Sequence, residues 1–271
     1  MTAGALRGLA RACHPEPTVA VTAVVTALAV SAGRGSGAVW VGLAVLAGQL
    51  SIGWSNDYVD RERDRRAGRV DKPLLRGDIH PAAVAIACAY ALVAAVALSF
   101  ASGWRAALAH LAGVAAAWAY NFGVKTTAWS PLPYAVAFGL LPAFVTLGLP
   151  NHPWPAWWVL AAGALIGVGA HFANVLPDID SDLVLGVRGL PQRLGAARSR
   201  LGSAALLTAA SVLLAAGPGI DPLGAAGAGV AVILLGAGVA ARRLGRTPFL
   251  VTIAVAALDV VLLIARGGGI S

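Results

Sequence analysis

Nine stretches of this chain are apolar and long enough to cross a lipid bilayer as helices: 17–33, 38–56, 81–101, 104–122, 131–149, 156–175, 199–217, 223–241 and 248–265. A helix spanning the hydrocarbon core needs about 20 such residues. Transmembrane strands would alternate polar and apolar positions over about ten residues, whereas these runs are continuous. Hydrophobic residues make up 58% of the 271 and charged residues 12%, about half the charged share of a soluble domain. Such a surface cannot be covered with polar groups, so lipid is its solvent. The expected fold is all-α, a nine-transmembrane-helix bundle forming one integral-membrane domain over 1–271. Pro and Gly mark most of the boundaries, at Pro17, Gly35, Pro81, Gly103, Pro131, Pro155, Gly217 and Pro248. Two cysteines, Cys13 and Cys88, give neither a disulfide framework nor a zinc spacing.

Charge orients the bundle. The chain holds 20 Lys and Arg against 12 Asp and Glu. With the N-terminus in the cytoplasm, 17 of those 20 basic residues fall on inside segments, and Arg34, Arg105 and Arg266 fall outside. The positive-inside rule therefore places the N-terminus inside and the C-terminus outside, in the cell inner membrane. This accounts for the basic excess without nucleic acid as a partner. The first stretch has the look of a signal peptide, preceded by Arg7 and Arg11, but eight further spans favour its retention. Trp104, Trp129, Trp154, Trp157 and Trp158 stand near span ends, as an interfacial belt requires.

Acids are scarce, and their placement is informative. Asp57, Asp60, Glu62, Asp64, Asp71 and Asp78 follow the second span, and Asp178, Asp180 and Asp182 follow the sixth. Asn56, Asp60, Asp64, Gly68 and Pro73 recur as Asn174, Asp178, Asp182, Gly186 and Pro191, each pair 118 residues apart. The repetition suggests an internal duplication, with pseudo-repeats over about 17–125 and 131–241 and the ninth span added.

Steps of four advance about 40° around a helix. Asn56, Asp60 and Asp64 therefore share one face with Asp57 at its edge, and Asn174, Asp178 and Asp182 are expected to repeat it, with Pro177 a possible break. Glu62 and Asp180 point elsewhere. Two carboxylates one turn apart, about 6 Å, repel by about 3 kcal/mol at an effective dielectric of 20. Neighbouring arginines (Arg61, Arg63, Arg65, Arg66) or a divalent cation could compensate. Clustered carboxylates with an amide oxygen suit Mg²⁺, which binds jointly with substrate phosphates. A salt-bridged loop explains one such cluster but not its recurrence.

Asn56-Asp57-x-x-Asp60-x-x-x-Asp64, followed by Arg69 and Lys72-Pro73-Leu74, resembles the first aspartate-rich motif of the UbiA superfamily of intramembrane prenyltransferases. Asp178-x-x-x-Asp182-x-x-x-Gly186 resembles the second, and the nine spans extend the likeness over nearly the whole chain. The resemblance implies a cytoplasmic-side polar cap over a lipid-open cavity. It implies Mg²⁺ held by Asn56, Asp60, Asp64, Asn174, Asp178 and Asp182 and bridging to an isoprenyl diphosphate. Arg69 and Lys72 would grip the diphosphate. Lys125 would match the lysine of a Tyr-x-x-x-Lys element, although Tyr120 stands one residue too far away. The segment Arg11-Ala-Cys-His-Pro-Glu-Pro reads as a departure from the Arg-x-x-x-Pro element of ubiquinone-pathway members, which counts against a 4-hydroxybenzoate acceptor.

The implied reaction moves an isoprenyl group, by way of an allylic carbocation, onto a small and possibly aromatic acceptor. Asp71 is the candidate base or orienter, and Lys125 the second candidate catalytic group. Gln49, Ser51 and His171 are candidates for the acceptor or tail pocket, with interhelical hydrogen bonding the competing role for the first two. Trp54, Trp118, Phe138 and Phe172 are candidates to shield the cation, with packing the competing role. His110 reads as a packing histidine, and Asp259, alone in the ninth span, as a functional acid or a bond to a neighbouring helix. A terpene cyclase using the same metal site without an acceptor, and a secondary transporter, are the alternatives. Transporters place charges near the bilayer centre, and these acids sit at span ends.

Overall fold

A computed structural model describes residues 3–66, 68, 72–217, 219, 221–240 and 247–265. Among them every regular element is helical. Each of the nine apolar stretches carries one long helix: α2 (Pro15–Ser31), α3 (Gly37–Arg66), α5 (Pro81–Phe100), α6 (Trp104–Asn121), α7 (Leu132–Thr146), α8 (Trp157–Val175), α11 (Ala196–Ala216), α12 (Pro222–Ala240) and α13 (Thr247–Ala265). Four short helices complete the order: α1 (Ala3–Ala12), α4 (Pro73–Arg76), α9 (Ile179–Val184) and α10 (Leu190–Leu194). Among the described residues, five helical segments are long and apolar enough to cross a membrane, or six if the bent α1–α2 pair, with its 64° break, is one span. At 15 residues α7 is shorter, about 22 Å at 1.5 Å per residue.

Sequence neighbours pack side by side: α2 on α3, α3 on α5, α5 on α6, α6 on α7, α7 on α8, α8 on α11, α11 on α12 and α12 on α13. The last helix returns to α2 and α8. Phe144, Val41, Val45 and Val145 are fully or almost fully buried at the centre of the largest apolar cluster, which α2, α3, α6, α7, α8 and α11 share. Exposed apolar side chains such as Val93, Tyr90, Ile233 and Trp129 cover the outside, where a soluble protein would carry charge.

Several helix starts recur at a near-constant offset. Pro15 and Leu132, Gly37 and Trp157, Pro73 and Leu190, Pro81 and Ala196, and Trp104 and Pro222 open corresponding helices 115 to 120 residues apart. The two motif glycines, Gly68 and Gly186, both lie in the left-handed region, at φ 65° and 78°. A second pair at the 118-residue spacing, Gly77 and Gly195, does the same at φ 74° and 78°, each donating its N–H to the carbonyl of a proline in the first turn of its short helix, Pro73 or Pro191. A side chain is costly in that region, which explains why glycine recurs there.

Gly68→Ala and Gly186→Ala are therefore expected to lower stability by about 1 kcal/mol each. Gly229→Ala and Gly236→Ala, in α12 where an added methyl meets nothing within 4 Å, should be neutral or stabilising, because alanine favours helix. Thermal unfolding in detergent compares the two sets.

Candidate active site

The C-terminal half of α3 carries the first motif as the spacing requires. Asp57, Asp60 and Asp64 are 3%, 5% and 2% exposed, and Asn56 is half-buried. Buried carboxylates need partners, and distant segments provide them. Lys125, in a single turn of 3-10 helix (Val124–Thr126) after α6, donates from Nζ to Asp60 Oδ1. Arg63 donates to Asp60 Oδ2 at 2.7 Å and stands 4.0 Å from Asp64 Oδ1. Lys72 Nζ lies 2.6 Å from Asp57 Oδ1, and His14 Nε2 lies 3.0 Å from the same oxygen. Burial lowers the Lys125 pKa below its ordinary value, and the adjacent Asp60 carboxylate opposes that pull. Glu62 points outward, paired with Arg65 at 2.8 Å.

The second motif is built differently. Leu176–Asp178 forms a turn of 3-10 helix around Pro177, and α9 starts afresh at Ile179. Proline cannot donate a backbone hydrogen bond and clashes with a continuing turn. The expected shared face of Asn174, Asp178 and Asp182 is therefore corrected. Asn174 is exposed at the end of α8, Asp178 is half-buried in the turn, and Asp182 is buried in α9. Asp182 accepts a hydrogen bond from Gln192 Nε2 at 2.9 Å.

The two motifs meet through Lys125. A methyl group at Gly189 would lie 2.7 Å from the Lys125 carbonyl oxygen, 2.6 Å from Gln192 Oε1 and 2.9 Å from Ser130 Oγ. Only glycine permits that approach. Asp60, Lys125, Gly189, Gln192 and Asp182 thus form one connected series. Beside this series the Tyr120 ring meets Tyr134 edge-on at 5.1 Å, and Tyr134 stacks on His171 at 4.6 Å.

The remaining expectations divide. His171 joins the aromatic group and shares a 3.0 Å hydrogen bond with Ser130 Oγ, which also accepts from the Leu190 N–H. Ser51 is fully buried and accepts from Trp118 Nε1 at 3.3 Å, an interhelical bond. Gln49 is half-buried on α3. Arg69 and Asp71 lie outside the described residues. Phe138 stacks on Tyr134, whereas Trp54 donates to the Leu9 carbonyl and packs. His110 stacks on Phe144 and pairs with Ser99, as a packing histidine does, and Asp259 accepts from Ser211 on α11.

Sequence reasoning missed four polar residues: His14, Asn121, Ser130 and Gln192. Asn121 donates to Ser55 Oγ and to the Ile52 carbonyl and accepts from Asn56, tying α6 to the first motif. The reading of the N-terminal segment also needs correction. Arg11 and Pro15 do stand at Arg-x-x-x-Pro spacing, so that argument against a 4-hydroxybenzoate acceptor falls.

Among the described residues no three His, Cys, Asp or Glu side chains are grouped to hold a metal ion. The donor chemistry still fits Mg²⁺. Asn56, Asp60, Asp64, Asp178 and Asp182 offer hard oxygens, and Mg²⁺ needs one or two carboxylates, its own waters and substrate phosphate rather than a protein cage.

A family model described as the UbiA prenyltransferase family matches residues 18–258. The 4-hydroxybenzoate octaprenyltransferase of Ralstonia nicotianae is 32% identical over 139 residues, which are 49% of this chain and 46% of that protein. The chain therefore spans about half the length of the curated relatives it matches. An apo UbiA homologue from Aeropyrum pernix K1 superposes with a TM-score of 0.71 at 21% identity, covering 91% of this chain and 97% of that one. A UbiA homologue from Archaeoglobus fulgidus, bound to GPP and Mg²⁺, gives 0.70 at 17% identity, covering 97% and 99%. At these identities the likeness is one of fold.

Removing Lys125 strands half of a buried carboxylate. Lys125→Met is expected to cost up to about 3 kcal/mol, with Arg63 moderating the loss. Glu62→Gln, which breaks an exposed pair, should cost under about 1 kcal/mol. Equilibrium unfolding in mixed micelles measures both.

Proposed function

The chain belongs to the UbiA prenyltransferase family, and from that premise we propose that it transfers an isoprenyl group from an isoprenyl diphosphate to a small acceptor within the membrane. The observation that carries this reading is the buried series from Asp60 through Lys125 and Gly189 to Asp182. It joins two acid motifs at one end of an apolar bundle. A substrate with a charged head and a greasy tail needs both environments within one molecule's length.

Lys72, Lys125 and Arg63 receive phosphate oxygens, with Arg69 completing the grip. Asn56, Asp60 and Asp64 on one side, and Asn174, Asp178 and Asp182 on the other, would hold Mg²⁺, which when bound would supply Lewis-acid stabilisation of the departing diphosphate. Stabilising charge on that leaving group favours heterolysis of the C1–O bond, whose electron pair leaves with the diphosphate. The rings of Tyr120, Tyr134 and Phe138 face the allylic cation that remains, and aromatic faces attract cations. The acceptor carbon attacks C1, and its proton is lost to a base, for which Asp71 is the candidate. His171, with Gln49 and Ser51 deeper in the bundle, borders the acceptor and tail pocket.

An aromatic acceptor of the hydroxybenzoate type is favoured by the name of the Ralstonia relative and by Arg11 and Pro15 at their spacing. The nine apolar helices are read as nine spans of one domain made of two pseudo-repeats and an added α13. The motifs then lie on the cytoplasmic side of the inner membrane, with the N-terminus inside and the C-terminus outside. The basic residues support that orientation.

Purified protein with Mg²⁺, geranylgeranyl diphosphate and a panel of hydroxybenzoates should release pyrophosphate and form a C-prenylated ring. Asp60→Asn and Asp182→Asn should each lower turnover by about a hundredfold or more. A cyclic hydrocarbon formed without acceptor would replace transfer by cyclisation. No release with any prenyl chain length, by wild type and Asp60→Asn alike, would overturn both.

A further inference from the structure

We propose that His14 is a positioning residue which, through Asp57, sets where the Lys72 ammonium stands and so how tightly the chain grips a diphosphate. The inference rests on the prenyl-transfer reading above. It begins with a backbone anomaly. His14 adopts φ 55° and ψ 71°, immediately before Pro15. A non-glycine residue there is strained, and it persists only where its surroundings impose it.

The surroundings do impose it. Thr18 Oγ donates to the Cys13 carbonyl at 2.8 Å, and Trp54 Nε1 donates to the Leu9 carbonyl at 2.9 Å. A methyl at Gly53 would lie 2.6 Å from the Cys13 carbonyl carbon. The break between α1 and α2 is therefore seated directly on α3, one turn before Asp57. That seat delivers His14 Nε2 to within 3.0 Å of Asp57 Oδ1, the oxygen on which Lys72 Nζ rests at 2.6 Å.

Burial grades across the three side chains. Asp57 is 2% exposed, Lys72 16% and His14 40%. The carboxylate is sealed in and the ammonium stands at its rim. An ammonium has three N–H donors, and Lys72 gives one of them to Asp57. In the proposed complex the others meet phosphate oxygens. Because His14 shares Oδ1, that oxygen holds Lys72 less tightly than it would alone. Without His14, the buried carboxylate would satisfy itself by drawing Lys72 inward, away from a substrate. Asp57 is then a holder of the gripping lysine rather than a metal ligand, which separates it from Asp60 and Asp64 on the same helix.

The test uses the full chain in detergent, with His14→Ala and His14→Gln. The first readout needs no substrate: the rate at which trace acetic anhydride acetylates Lys72, followed by peptide mass spectrometry. His14→Ala should slow it by about threefold, and His14→Gln, which keeps a donor, should restore it. The second readout is pyrophosphate release. His14→Ala should raise KM for geranylgeranyl diphosphate by about tenfold, as loss of one charge-assisted hydrogen bond does, with kcat and the acceptor KM unchanged. Unchanged Lys72 acetylation in His14→Ala would overturn the inference. So would a fall in kcat and thermal stability without a change in KM. If wild type releases no pyrophosphate, the prenyl-transfer reading fails, while the acetylation readout still decides the link between His14 and Lys72.

Discussion

Three carboxylates buried along one side of a helix end, in a protein whose outer surface is apolar, depend on cations and hydrogen-bond donors brought to them from elsewhere in the chain. Asp57, Asp60 and Asp64 lie at most 5% exposed, and desolvating one such charge costs several kcal/mol. Arg63 comes from the same helix, but Lys72, Lys125 and His14 come from three different connections. The need to satisfy these acids therefore pins the α1–α2 break, the α3–α4 connection and the α6–α7 connection to one place. The apolar packing around Phe144 could tolerate small shifts between helices. An unmatched carboxylate could not, since leaving it alone costs more than a core methyl group.

Much of this was legible beforehand, for identifiable reasons. Helices in lipid announce themselves by length and unbroken hydrophobicity, so all nine apolar stretches coincide with helices. The four-residue spacing of Asn56, Asp60 and Asp64 maps directly onto one face because α3 continues unbroken to Arg66. The same spacing failed at Asn174, Asp178 and Asp182, where Pro177 forces a turn of 3-10 helix and a new start. Pattern arithmetic assumes one helix, and a proline in the pattern cancels the assumption.

What was not legible has a different cause. His14, Asn121, Ser130 and Gln192 belong to no repeating pattern, and three of them act on partners 41 to 65 residues away in the chain. A polar residue at a span boundary reads as ordinary interface chemistry until the fold shows what it touches. Gly77 and Gly195 were passed over for a related reason. Their left-handed backbone, not any chemistry of the side chain, makes them correspond.

The acids also differ in what surrounds them. Lysine, arginine and histidine lie against the first motif, and Asp182 accepts a hydrogen bond from the Gln192 amide. The Gln192 amide carries no charge at any ordinary pH, so its bond to Asp182, unlike the ion pairs on α3, does not weaken through deprotonation of its donor.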